Sequence, residues 1–156
     1  MPEVRPVTKD NWGALIKLKV RDDQKNFVAS NLYSIAESHY GEDIPGEGHW
    51  DMFPYGIYED NQPVGFFMFA INYGAPKFQG FILRLMVDEQ HQGKGYGKFG
   101  MNWMLDQFRE DDRIKTTGIS YEPHNETARK LYASLGFIET GEIEDGEAIA
   151  VLKLRP

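Results

Sequence analysis

Asp88-Glu89-Gln90-His91-Gln92-Gly93-Lys94-Gly95-Tyr96-Gly97-Lys98 joins two segments of different periodicity. Before it, Phe81, Ile82, Leu83, Leu85, Met86 and Val87 make the β-rich run of a strand. After it, Met101, Met104, Leu105 and Phe108 recur at the i, i+3, i+4, i+7 spacing of a helix face. Gly93, Gly95 and Gly97 let the backbone approach a ligand closely, and the N–H groups of the helix start that follows lack intrahelical partners. Those amides and the positive end of the helix dipole suit a phosphate or pyrophosphate, to which Lys94 and Lys98 add formal charge. A nucleotide-like cofactor is the first inference.

The glycine spacing excludes two common cradles. Lys98 is followed by Phe99, so no hydroxyl stands where a P-loop holds magnesium. The Rossmann order Gly-x-Gly-x-x-Gly also fails, because Gly97 follows Gly95 and Gly100 falls inside the helix pattern. Read as Gln92-Gly93-Lys94-Gly95-Tyr96-Gly97 after a strand ending Leu85-Met86-Val87, the segment resembles the acetyl-CoA signature of the GNAT superfamily of N-acetyltransferases.

A second segment, Glu122 to Phe137, reads as strand exit, helix and return strand. Pro123 stops what precedes it, Asn125 suits an N-cap, and Gly136 can end a helix whose face is Ala128, Leu131, Tyr132 and Leu135. Leu131 and Leu135 are core in any protein, whereas a tyrosine on an apolar face must bury or direct a hydroxyl. The order Asn-x-x-Ala-x-x-x-Tyr-x-x-x-Gly-Phe is similar to the later GNAT motif. The resemblance implies that Leu85, Met86 and Val87 pair with the pantetheine of acetyl-CoA. It implies that Gln92, Gly93, Lys94, Gly95, Tyr96, Gly97 and Lys98 hold the pyrophosphate. Asn125, with Ala128 and Lys130 on the same helix, would contact the cofactor, and Tyr132 would sit near its sulfur.

Length and composition agree with a single domain over residues 1–156. A chain of 156 residues with 41% hydrophobic content can build a real core. The absence of cysteine excludes disulfides, thiolate nucleophiles and Cys-built zinc sites, and four histidines without HExxH-type spacing argue against a metal centre. Met1 to Pro6 does not resemble a signal peptide and no apolar run reaches the length of a membrane span, so a cytoplasmic protein without membrane contact is expected. Net charge of −7, from 17 basic and 24 acidic residues, disfavours nucleic acid and favours approach of cationic amines. A homodimer is compatible with the sequence, in which Trp50 or Phe78 would belong to an interface or to the core.

The element order reads as alternating α and β. A strand over Val4–Val7 precedes a helix carrying Trp12, Leu15, Ile16 and Leu18, and a second helix spans Gln24 to Ser38. Tyr40 to Trp50 reads as loop, being rich in glycine and charge. Tyr55 to Glu59 and Val64 to Ala70 flank Asp60-Asn61-Gln62-Pro63 as a hairpin; Gln79 to Asp88 is the next strand, and a helix runs from the glycines to about Arg109. Ile114 to Tyr121 is a strand, the Tyr132 helix follows, and two strands close the chain around a turn from Gly141 to Gly146. This order matches the α+β GNAT fold, in which helices flank a mixed, largely antiparallel sheet whose central strands splay.

The N-terminal half is similar to a bacterial branch that includes spermine/spermidine acetyltransferases, on Val7-Thr8-Lys9-Asp10-Asn11-Trp12, Leu18-Lys19-Val20, Gln24 and Phe27 to Asn31. The implied reaction is direct acetyl transfer from acetyl-CoA to a primary amine, a polyamine foremost. A backbone N–H near Val87 would stabilise the oxyanion, and Tyr132 would protonate the departing thiolate. Glu37, Glu42, Asp43, Glu47 and Asp51 with Tyr40, His49, Trp50, Phe53 and Tyr55 are either an amine-binding cluster or an ordinary surface loop. The base is unassigned, because Phe81 to Val87 carries Arg84 and no carboxylate, which leaves Glu37, His39 or water. A protein or peptide acetyltransferase and a non-catalytic acetyl-CoA sensor are the competing readings.

Overall fold

A computed structural model describes residues 1–156. The strands are β1 Glu3–Pro6, β2 Glu42–Ile44, β3 Gly48–Glu59, β4 Gln62–Ile71, β5 Gly80–Val87, β6 Thr116–Tyr121, β7 Ile138–Glu144 and β8 Glu147–Lys153. The helices are α1 Trp12–Leu15, α2 Asn31–Ser38, α3 Tyr96–Glu110 and α4 Glu126–Ser134. Seven strands line up as β1-β3-β4-β5-β6-β8-β7, and β2 adds to β3. Every pairing is antiparallel except that of β5 with β6. This is the mixed, mostly antiparallel sheet that the element order predicts.

β4 lies centrally and its sequence says so. Val64-Gly65-Phe66-Phe67-Met68-Phe69-Ala70 is apolar at every position, the composition of a strand covered on both faces. Phe67 and Phe69 join one core with Ile57, Ile82 and the α3 side chains Met101, Met104, Leu105 and Phe108. Phe66, Met68 and Ala70 face the other way, into a smaller core with Ile35 of α2, Trp50, Met52 and Met86. The sheet is therefore a middle layer with helices on both sides.

The first helix stops at Leu15, short of the expected Leu18, and three further segments differ from the sequence reading. The helix expected over Gln24–Ser38 begins only at Asn31, because the Ser30 hydroxyl caps it by accepting the Tyr33 N–H at 3.1 Å. The segment before it, with Phe27 and Val28, is left irregular. The expected loop at 40–50 is a hairpin, with Glu42 opposite Trp50 and Asp43 opposite His49. Its period-two signal lies in Trp50 and Met52, which are buried between exposed His49, Asp51 and Phe53. At the end of the chain the turn is only Asp145-Gly146, both at positive φ, and Gly141 lies within β7 where its register with β8 shifts.

Candidate active site

The site begins with one extra residue. Met68 pairs with Arg84 but Phe69 pairs with Ile82, so Leu83 has no partner on β4 and bulges. On its other side β5 pairs with β6 only from Gly80↔Thr117 to Ile82↔Ile119. Beyond the bulge the two parallel strands separate, and β5 runs from Arg84 to Val87 with a free edge.

The register states which backbone groups that edge exposes. The Asp88 N–H donates to the Val64 carbonyl at 2.8 Å, so in this antiparallel ladder Asp88, Met86 and Arg84 bond toward β4. Leu85 and Val87 must then turn their N–H and C=O groups to the opposite edge, into the gap left by β6. The Gln92 side chain corroborates this by donating from Nε2 to the Val87 carbonyl at 3.0 Å, while the same nitrogen donates to Gln24 Oε1 at 2.9 Å. Gln92 thus ties the end of β5 to the segment before α2.

The gap opens into a cavity of about 710 Å³ with 27 lining residues. Leu83 to Val87 form one wall and Ile119 to Tyr121 the other, with Asn125, Ala128, Leu131 and Tyr132 of α4 alongside. Gly93, Gly95, Tyr96 and Gly97 border its mouth. Gly93 and Gly95 have φ of +79° and +86°, with open space where a Cβ would stand. None of the amides from Gly93 to Lys98 donates to a protein acceptor, and α3 starts at Gly95 without a side-chain cap. A concave run of free N–H groups at the start of a 15-residue helix fits a pyrophosphate.

Of the site residues named from sequence, Leu85, Met86, Val87, Gln92, Gly93, Gly95, Tyr96, Gly97, Asn125, Ala128 and Tyr132 all line this one cavity. Lys94, Lys98 and Lys130 do not; all three are exposed, outside the lining. Asn125 has a structural task as well, since its Oδ1 accepts the Ala128 N–H at 3.2 Å and caps α4. The Tyr132 ring is buried against Tyr121 at 5.3 Å between centroids. Burial first, then Tyr121 and Glu147, push its hydroxyl well above the ordinary phenol range, so it remains a proton donor at neutral pH.

Charge inside the cavity is sparse. The acidic residues of the early loop, read from sequence as either an amine-binding cluster or ordinary surface, lie outside it: Glu42, Asp43, Glu47 and Asp51 belong to the β2–β3 hairpin, and none lines the cavity. Trp50 is core, and Tyr55 stacks on Phe67 and Phe69. Glu37 is engaged by Arg84, whose Nη2 donates to Oε1 at 3.2 Å, and His39 is absent from the lining. The cationic side chains of the lining are Arg21 and Arg84, and Glu147 at the start of β8 is its single carboxylate. Sequence reasoning missed Glu147 because a glutamate after a hairpin turn looks like solvent-exposed edge; only the β6–β8 pairing brings it to the gap.

Comparison with known proteins agrees with this geometry. The model of the acetyltransferase (GNAT) family matches residues 14–137. The chain is 29% identical over 159 residues to the spermine/spermidine N(1)-acetyltransferase of Bacillus subtilis (strain 168), covering 97% of each. The GNAT domain of S. lividans PAT superposes with a TM-score of 0.73 at 18% identity, over 98% of this chain and 90% of that one. Spermidine N-acetyltransferase from Vibrio cholerae, solved with CoA and spermine, gives 0.71 at 15% identity, over 98% of this chain and 95% of its own. At such identities the solved structures establish the fold, and the family match over most of the chain places this protein, with its splayed β5 and β6, in the acetyltransferase (GNAT) family as an N-acetyltransferase of that type.

Proposed function

We propose that residues 1–156 act as one acetyl-CoA-dependent domain that moves an acetyl group directly to a primary amine of a small cationic molecule, a polyamine foremost. The observation that carries the acyl-transfer reading is the free edge of β5, whose Leu85 and Val87 amides face the gap beside unclaimed amides at the start of α3. In this reading Gly93 to Lys98 hold the pyrophosphate of CoA, and Lys94, Lys98 and Lys130 contribute only screened charge from the rim. The Leu85 amide, Met86 and the α4 residues Asn125 and Ala128 guide the pantetheine. The Val87 N–H, whose own carbonyl is taken by Gln92, polarises the thioester carbonyl and stabilises the charge that develops on its oxygen. Tyr132, buried and protonated, delivers its proton to the leaving sulfur.

The polyamine preference draws on the relatives, the spermine/spermidine N(1)-acetyltransferase at 29% identity and a probable spermine N(1)-acetyltransferase of Bacillus subtilis subsp. natto at 28%. A net charge of −7 also raises the local concentration of polycations. The test is acetyl-CoA-dependent thiol release with spermidine, spermine, simple diamines, amino acids, aminoglycosides and a lysine peptide. Saturable turnover confined to the polyamines is the expected result. Preference for the lysine peptide or for amino acids would overturn the substrate class, and silence with every amine despite acetyl-CoA binding would overturn the transferase reading.

A further inference from the structure

We infer that Glu147 is the carboxylate that receives the acceptor's ammonium group and takes the proton the amine must lose before it attacks. This rests on the acetyl-transfer reading above. Glu147 is the only acid among the 27 residues around the cavity. It opens β8, and the β6–β8 register, with Ser120 opposite Ile149, sets Glu147 and Ser120 on one face as diagonal neighbours. The Ser120 hydroxyl donates to Glu147 Oε1 at 3.1 Å, which fixes the carboxylate and leaves Oε2 for a ligand. On its own face of the sheet Glu147 has Ser120 of β6, Glu122 at the next position of the β6 register and Glu144, its cross-strand partner on β7. Arg84 stands in the opposite wall, and Tyr132, packed with Tyr121 on the other face, is near enough to feel the Glu147 charge. The candidates visible in the sequence do not compete, since Glu37 is tied to Arg84 and His39 is outside the lining.

The proton balance closes. Glu147 removes one proton from the ammonium, the neutral nitrogen attacks the thioester carbon, a C–N bond forms and the C–S bond breaks. Tyr132 protonates the departing sulfur and recovers a proton from the new amide nitrogen, while Glu147 releases its own to solvent. One proton leaves per acetyl group transferred.

The test uses Glu147→Gln, close to isosteric, with Ser120→Ala as a milder second variant and Glu42→Gln on the outer hairpin as control. For Glu147→Gln, kcat/KM toward the amine is expected to fall by roughly 10²–10⁴-fold at neutral pH. The deficit should shrink as pH approaches the amine's own pKa, where solvent supplies the neutral form. CoA affinity stays within twofold of the parent and calorimetric binding of spermidine to the CoA-loaded protein weakens at least tenfold. Ser120→Ala shows the same pattern at smaller size, and Glu42→Gln shows none of it. A Glu147→Gln protein with unchanged kcat/KM, or with a loss equal at every pH and accompanied by weakened CoA binding, overturns the assignment. If the parent turns over no amine yet binds spermidine through Glu147, the transferase reading fails and the carboxylate site stands.

Discussion

Gly95 and Gly141 form a matched pair that isolates the cofactor cradle from backbone strain. Both sit at φ +86° with open space where a Cβ would stand, and they differ in place: Gly95 borders the cavity, Gly141 lies in β7 on the far edge of the sheet. An alanine at either position incurs the left-handed cost of an L-residue, about 1–2 kcal/mol. For a chain of this length the unfolding entropy is about 0.3 kcal/mol/K, so each variant should melt about 3–6 °C below the parent. Only at Gly95 does the added methyl also stand where an anion would meet the free amides. Gly95→Ala should therefore bind CoA at least tenfold more weakly by calorimetry, and Gly141→Ala should bind it like the parent. Equal CoA affinity in the two variants, with comparable melting shifts, would refute the assignment of the Gly93–Lys98 amides to the pyrophosphate.

Tyr132→Phe should keep CoA binding and lose at least a hundredfold in thiol release, measured at saturating amine; unchanged release would remove Tyr132 as the acid. The same hydroxyl has a stability signature, because its pKa is raised from 10.0 by burial, Tyr121 and Glu147. Its contribution is complete below the unfolded value and lost as pH rises above it, so beyond about pH 10 the parent should lose stability faster than Tyr132→Phe in urea titrations. Asp111 works in the opposite direction: hydrogen bonds from Arg113 first, and then from Tyr73, hold its pKa down to about 2 from 3.8. Asp111→Asn should lower the urea midpoint at pH 6, and the difference from the parent should vanish as pH falls through 2.

What the sequence disclosed and what it concealed divide along range. The glycine loop, the strand before it and the α4 face were legible because each is a local pattern, and 11 of the named positions meet around one cavity. The exposure of Lys94, Lys98 and Lys130 was not legible, since formal charge says nothing about the side on which a long side chain lies. The acidic loop left its two readings open for the converse reason. Its carboxylates are close in sequence, but the β2–β3 hairpin carries them on an outer ribbon away from the gap. Glu147 and Ser120 lie 27 residues apart and touch only because β8 returns antiparallel to β6, a pairing that no window of sequence contains.

The bulge at Leu83 explains why the amine-binding carboxylate should stand across the gap from β5. Without the extra residue, the register set by Phe69↔Ile82 would continue with Met68 opposite Leu83, Phe67 opposite Arg84 and Phe66 opposite Leu85. A one-residue slip reverses every side chain and every amide beyond it. The Arg84 guanidinium would enter the core of Phe67 and Met101, and the Leu85 and Val87 amides would be consumed by β4. With the bulge, those amides face the gap and Arg84 turns toward α2, where Glu37 neutralises it. The geometry that frees the oxyanion donor thus fills the β5 wall with an arginine whose counter-charge is already committed. An ammonium group brought to that thioester finds its uncommitted negative partner on the opposite wall, at Glu147.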